Sequence, residues 1–158
     1  DELMARLFPS DLLHGKRVVI HSDGKLRRDA QRALGSIEDE LDATFLPVEI
    51  LRAGVPRVYA LNGGKIDPPR WGSIFRLSDT EAFVQTTDAT IQPLHVRAEA
   101  PFTIDQAVHS VLLFTLFHYG AFKQPKLPVT IHNADPIEHG ILRGVMQPET
   151  ETTLPFWL

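Results

Sequence analysis

The spacing of apolar residues predicts two long helices. From Leu26 to Leu41, apolar residues recur every three or four positions and therefore lie on one stripe of a helix. A second helical pattern follows Thr103, a residue type that often caps a helix N-terminus. This second segment is apolar nearly all round, so we expect its helix to be largely buried.

Other segments are rich in β-branched and aromatic residues and predict strands. One is short, at residues 18–20, and five more lie in the middle of the chain: FLPVEIL, PRVYAL, GSIFRLS, EAFVQTT and PLHVRAE. The stretch NGGKIDPPRWG between two of them predicts a loop. Near the end, LPVTIHNAD predicts another short strand, followed by a helix from about residue 136 to residue 145. Together these segments predict an α/β fold.

Length, charge and cysteine content exclude several classes of protein. A chain of 158 residues can bury a real core, and its length favours a single domain. The net charge of −4 gives no general attraction for nucleic acid or membrane, so such a partner would need a local basic patch. The absence of cysteine excludes disulfides, thiolate zinc sites and a cysteine nucleophile. Without an apolar stretch near 20 residues, we expect a soluble, cytoplasmic chain with no membrane partner.

Two aspartates each follow a predicted strand and precede a predicted helix. Asp23 lies in VVIHSDGKLRRDA, and Asp135 ends LPVTIHNAD. If the two strands are neighbours, their ends can bring these carboxylates close enough to share a divalent cation, which prefers oxygen ligands. The same positions also suit a turn before Gly24 and a helix cap. The spacing leaves both interpretations open.

Several segments resemble, in order and approximate spacing, the PIWI domain of Argonaute proteins, especially prokaryotic ones. They are VVIHSDGKLRRDA, VEILRAGVPRVYAL, FRLSDTEAFVQTTDATIQPLHVR and IDQAVHSVLLFTLFHYGAFKQPKLPVTIHNADPIEHGI. The first resembles the family's strand, aspartate, glycine and basic residue, and the last resembles its late helix and final acidic position. The resemblance extends over most of the chain.

The resemblance implies an RNase H-like (PIWI) α/β fold, a mixed sheet flanked by helices, which binds a guide strand and its paired target. Active members of the family cut the target with Mg²⁺ or Mn²⁺, using four residues. Asp23 matches the third of these and Asp135 the last. The other two lie upstream in family sequences, whereas only 22 residues precede Asp23 here. We therefore expect residues 1–158 to be the C-terminal portion of a PIWI domain, incomplete in this chain and inactive without the missing N-terminal half.

Basic residues near the matching segments are candidate phosphate contacts, because Lys and Arg supply most sequence-independent affinity for nucleic acid. The candidates are Lys25, Arg27, Arg57 and Lys126, although each also fits a solvated surface. In Argonautes the last residue of the chain tucks inward and its carboxylate helps bind the guide 5′ phosphate. If residue 158 is the native terminus, the resemblance makes Leu158 the candidate for that role, and the alternative is a terminal strand or hydrophobic plug that binds no ligand.

Two alternatives remain. One is an Argonaute that binds guide and target without cutting and acts through partner proteins. The other is an unrelated phosphatase, because HSDGKL superficially resembles the Asp-x-Asp-Gly motif of haloacid-dehalogenase-like enzymes. In that motif the first aspartate is the nucleophile, and His21 stands at its position here.

Overall fold

The computed structural model describes residues 10–88, 91–118 and 125–144, without the side chains of residues 10, 11, 133, 135–138, 141 and 142. The helices in these ranges are α1 (Ser10–Leu13), α2 (Arg28–Leu41), α3 (Ile104–Leu116) and α4 (Val129–Leu142). The strands are β1 (Arg17–Asp23), β2 (Thr44–Leu51), β3 (Ala60–Asn62), β4 (Lys65–Asp67), β5 (Ile74–Arg76), β6 (Glu81–Val84) and β7 (Leu94–Ala98).

Five of the strands form one mixed sheet in the order β1-β2-β7-β6-β5. β1 and β2 run parallel with Asp23 opposite Ile50, and every other neighbouring pair in this sheet is antiparallel. Within the described residues, β1 has a strand neighbour on one side only. β3 and β4 form a separate two-stranded hairpin. The predicted mixed sheet flanked by helices is confirmed.

The core lies between one face of the sheet and helices α3 and α4. Successive residues of a strand point to opposite faces, so Val48 and Ile50 of β2 share the buried face. Helix α3 packs its own apolar stripe against them. The core residues are Leu46, Val48, Ile50, Ala82, Val84, Leu94, Val96, Ala98, Phe102, Ile104, Ala107, Val108, Val111 and Ile131.

Helix α2 contacts β2 and is buried only in part. The predicted stripe is present, but none of its residues on α2 is fully buried, and Ala33 is exposed. Glu38 of α2 accepts a hydrogen bond from the backbone N–H of Phe45 on β2. On α3, Thr103 caps the N-terminus as predicted: its hydroxyl accepts from the Gln106 N–H, and the Gln106 side chain accepts from the Thr103 N–H.

The expectation that α3 is largely buried is wrong, because the helix is buried along one side only. Leu113 is 49% exposed, and Leu116 and Phe117 are each 57% exposed. Within the described residues, the sheet packs against one side of this helix, and the opposite side is exposed to solvent. None of the described helices is long and apolar enough to cross a bilayer.

The segment LPVTIHNAD is helical, so the prediction of a strand there is wrong, and Asp135 lies inside α4 rather than at a strand end. The helix begins after Pro128, whose carbonyl accepts from the His132 N–H at 2.9 Å. The β-branched run Val-Thr-Ile indicated a strand, but β propensity is weak against tertiary contacts. Ile131 enters the core, and Thr130 bonds to a side chain of β1.

The predicted loop NGGKIDPPRWG contains a β-hairpin instead. Gly63 and Gly64 have φ of 56° and 81°, the conformation of a two-residue hairpin turn, and Asn62 pairs with Lys65 across it. Of the predicted strand PRVYAL, only Ala60 and Leu61 are in β3. Each strand of this hairpin has only three residues. An alternating pattern that short does not predict a strand.

Two isoleucines test the assignment of core and edge. Ile50 is fully buried in β2, whereas Ile74 is 44% exposed on the edge strand β5. We expect Ile50→Ala to lower the free energy of unfolding by about 2–5 kcal/mol, because it leaves a cavity. Ile74→Ala should cost about 1 kcal/mol or less, because that side chain keeps much of its contact with water. Denaturant unfolding of protein that carries this chain measures both, and equal costs would contradict the assignment.

Candidate functional site

The turn after β1 is fixed by two hydrogen bonds to β2. Gly24 has φ of 83°, a left-handed conformation that favours glycine, and its N–H donates to the Ile50 carbonyl at 2.9 Å. Two residues later, the Leu26 N–H donates to Glu49 Oε1 at 2.9 Å. Lys25 lies between these two anchored positions with its side chain exposed. The Asp-Gly pair is therefore a rigid turn that holds Lys25 beside Asp23.

Asp23 forms a two-point ion pair with Arg52. The Arg52 Nε donates to Asp23 Oδ1 at 3.0 Å, and the Arg52 Nη2 donates to Asp23 Oδ2. The Asp23 side chain keeps 32% of its surface exposed, and that of Arg52 keeps 42%. The carboxylate is therefore accessible from solvent while a guanidinium balances its charge.

Arg52 was missed from the sequence. It directly follows β2, which pairs in parallel with the strand that ends in Asp23. The carboxyl ends of parallel neighbours meet at one edge of a sheet, so a correct strand pairing would have placed these two side chains together. The family resemblance included the segment VEILRAGVPRVYAL, but the pairing of this segment with the first strand was not predicted.

Lys126 lies at the same edge of the sheet. Burial lowers the pKa of Lys126, and the positive charge of Arg52 lowers it further. The backbone of this segment is held at two points: the Thr86 hydroxyl donates to the Lys126 carbonyl, and His118 Nε2 lies 2.9 Å from the Leu127 carbonyl. Lys126 is therefore a second basic side chain close to Arg52.

His21 connects β1 to both helices of the core face. Its Nε2 lies 3.0 Å from Ser110 Oγ of α3, and its Nδ1 lies 2.8 Å from Thr130 Oγ1 of α4. The ring also meets Phe114 edge to face, with centroids 5.4 Å apart. Burial lowers the pKa of His21 to about 4, so the ring is neutral near pH 7. The sequence drew attention to His21 only as a residue that does not fit a phosphatase motif.

A row of charged side chains crosses the other face of the sheet. Arg97 of β7 lies between Glu49 of β2 and Glu81 of β6, at 3.4 Å from Glu49 Oε2 and 3.1 Å from Glu81 Oε1. His95 Nε2 lies 2.9 Å from Glu81 Oε2. Glu49 is also the acceptor for the Leu26 N–H. This row therefore links the turn that carries Lys25 to three strands.

The remaining predicted residues fall into two groups. Arg27 is exposed at the N-terminus of α2 with its Nη2 3.4 Å from Asp29 Oδ2, and Arg57 is exposed in the segment between β2 and β3. Among the contacts of the described residues, none joins either of them to Asp23. The side chain of Asp135 and all of Leu158 lie outside the described residues.

The described residues do not form a metal centre by themselves. In the part of the chain whose side chains are described, no cluster of three or more His, Cys, Asp or Glu residues could hold an ion. Asp23 offers hard carboxylate oxygens of the kind that Mg²⁺ and Mn²⁺ prefer, but one carboxylate leaves most of the coordination to other ligands. A cation here would need groups beyond this set.

The mixed sheet and flanking helices of this chain are similar in fold to Argonaute structures. The chain is 25% identical to a structure described as Aa-Ago with externally bound siRNA, with a TM-score of 0.77 over 99% of this chain. A Clostridium butyricum Argonaute, described as bound to a guide DNA and a 19-mer target DNA, is 25% identical with a TM-score of 0.67 over 80% of this chain. The resemblance found in the sequence is confirmed.

Sequence comparison agrees with the structures. The chain is 29% identical over 151 residues to the protein Argonaute of Aquifex aeolicus. That alignment takes in 91% of this chain and 20% of the relative, and the two structural matches take in 22% and 17% of theirs. The chain thus spans about a fifth of the length of these relatives. No protein-family model matches it.

Two glycines test the role of the turn. Neither would bring an added Cβ within 4 Å of another atom, but Gly24 has φ of 83° while Gly35 lies within helix α2. We expect Gly24→Ala to lower the free energy of unfolding by about 1–2 kcal/mol, because L-residues are strained in this conformation. Gly35→Ala should raise it by about 0.5–1 kcal/mol, because alanine favours helix. Denaturant unfolding measures the change in the free energy of unfolding for each variant. If Gly24→Ala stabilised the protein, the turn would not be fixed in this conformation.

Proposed function

We propose that this chain is part of the PIWI domain of a prokaryotic Argonaute, which binds a guide strand and cuts the paired target nucleic acid. The observation that carries the proposal is the position of Asp23. It lies at the end of β1, where the family's third catalytic residue is expected, in a fold with a TM-score of 0.77 to an Argonaute. The guide and target DNA of the Clostridium butyricum structure indicate the class of ligand.

Local positive charge around Asp23 supports binding of a phosphate backbone. Arg52, Lys126 and Lys25 lie at the edge of the sheet where β1 and β2 end. The chain as a whole carries a net charge of −4, so this attraction is local. A guanidinium can exchange a carboxylate for a phosphate with the same two-point geometry, which makes Arg52 a candidate contact in addition to the predicted ones.

Cutting would use Asp23 together with Mg²⁺ or Mn²⁺. Asp135 of helix α4 would be a second ligand, and the rest of the protein would supply the others. A bound divalent cation supplies an activated water and stabilises charge on the leaving oxygen. In this scheme, the two hydrogen bonds from Arg52 hold the Asp23 carboxylate in place until other cations approach.

The N-terminal half of the PIWI domain is the proposed partner of this chain. Among the described residues β1 is paired on one side only, and one side of α3 exposes Leu113, Leu116 and Phe117. A free strand edge and an apolar surface favour addition of a further strand and a covering helix. The proposal holds whether that half belongs to the same polypeptide or to a separate one.

Substitution of Asp23 tests the catalytic part of the proposal. In the complete protein, with a 5′-phosphorylated guide and Mn²⁺, we expect Asp23→Asn to slow target cutting by about 100-fold or more, because an amide is a poor ligand for a hard cation. Guide affinity should hold or rise slightly, since the change removes a negative charge near phosphate. A gel-based cleavage assay and a filter-binding assay measure the two quantities.

Asp39→Asn is the matched control, since Asp39 is an exposed aspartate on α2. It should leave the cleavage rate unchanged. If Asp23→Asn cuts as fast as the wild type, Asp23 is not part of the site. If the wild type binds guide and target but does not cut either RNA or DNA, the chain belongs to an Argonaute that acts by binding alone.

The salt dependence of guide binding tests the phosphate interactions. Removing one Lys or Arg that binds a phosphate should reduce the slope of log affinity against log salt by about 0.7 for a single strand. We expect this change for Lys126→Gln. Lys65→Gln, in the exposed strand β4 of the hairpin, should leave the slope unchanged. Equal slopes for Lys126→Gln and the wild type would remove Lys126 from the interface.

A further inference from the structure

We propose that His21 is a positioning residue, which acts through Thr130 to fix the backbone of helix α4, and so of residue 135, relative to Asp23. The inference rests on the proposed function. It explains how Asp23 and residue 135, which are far apart in the chain, are held in fixed positions at one site. His21 precedes Asp23 by two residues on β1, and both point to the face of the sheet that α3 and α4 cover.

The hydrogen bonds of His21 have a definite direction. The Ser110 hydroxyl donates a hydrogen bond to the Ala107 carbonyl at 2.7 Å, so toward His21 it can only accept. The Nε2 of His21 is therefore the N–H that donates to Ser110, at 3.0 Å. In a neutral ring the other nitrogen is an acceptor, so Nδ1 accepts a hydrogen bond from the Thr130 hydroxyl, with 2.8 Å between Nδ1 and Oγ1. Both nitrogens are satisfied in one tautomer.

This arrangement makes His21 a link between three elements. Nδ1 ties the first turn of α4 to β1, the strand that carries the ring, whereas Nε2 makes a separate hydrogen bond to α3. The edge-to-face contact with Phe114 sets the ring plane at 89° to that aromatic. A side chain that only filled space would need neither hydrogen bond.

Helix geometry carries this restraint to residue 135. Thr130 is the second residue of α4, and residue 135 follows five positions later in the same helix. At the usual rise of 1.5 Å per residue, its backbone lies about 7.5 Å further along the axis. The contact of Ile131 with the core fixes the depth of α4, whereas the Thr130 hydroxyl bond fixes its first turn against β1. Without this bond, the helix should therefore be displaced and should open locally more often, without unfolding as a whole.

Four variants of the complete protein separate positioning from packing. Thr130→Val keeps the shape of the side chain and removes the hydroxyl, and His21→Leu removes both hydrogen bonds. Ser110→Ala, the control, breaks only the bond to α3. His21→Asn is the conservative variant, because its amide oxygen can stand near the place of Nδ1 and accept from Thr130 again.

Two measurements are needed, one of which does not depend on cutting. Hydrogen–deuterium exchange of the backbone over Val129–Leu142 should rise several-fold in Thr130→Val and His21→Leu, and should stay near wild type in Ser110→Ala and His21→Asn. The affinity for Mn²⁺, measured by electron paramagnetic resonance, should fall about tenfold in the first two variants, as is usual when a group that orients metal ligands is removed.

The outcomes distinguish this inference from the proposed function. Wild-type exchange and Mn²⁺ affinity in Thr130→Val would overturn the role of His21, even if His21→Leu proved unstable. Equal effects of Ser110→Ala and Thr130→Val would show a general packing role and also overturn it. If the wild type binds no Mn²⁺ but α4 exchange still rises in Thr130→Val, the link between His21 and α4 stands and the proposed catalytic function fails.

Discussion

The parallel pairing of β1 with β2 is the constraint on which the candidate site depends. Its register sets Asp23 opposite Ile50, so that the residues following the two strands, Gly24 and Arg52, leave the sheet at the same edge. The Gly24 N–H continues the pairing by one more hydrogen bond to Ile50. A shift of one residue would turn Asp23 to the opposite face and separate it from both Arg52 and the α3 side of the sheet.

The ion pair of Asp23 with Arg52 contributes little to stability. Both side chains keep about a third or more of their surface in solvent, where such pairs are worth about 1 kcal/mol or less. Its importance is geometric, since it orients the carboxylate and brings a guanidinium to the place where the proposed phosphate backbone would pass. Lys126 adds charge to the same edge, and burial combined with Arg52 keeps its pKa below the ordinary value.

The surroundings of the two aspartates of the proposed site differ in how well the sequence predicted them. Around Asp23, the strand, the turn at Gly24 and the following helix α2 were all predicted, because they arise from local preferences. Around Asp135 the strand was wrong, because the same β-branched residues that favour a strand also suit a helix once Ile131 enters the core and Thr130 meets His21. The family resemblance singled out Asp135 but did not predict that it lies in a helix.

The sequence by itself determined the class of fold, the N-terminal cap at Thr103, the two apolar helices and the Asp-Gly turn, since each depends on residues near one another in the chain. Only the tertiary structure decided which groups meet at Asp23. Arg52 is 29 residues away, and the partners of His21 are 89 and 109 residues away. Such contacts depend on strand pairing and on how helices pack over the sheet, and a local pattern of apolar and polar residues carries no information about either.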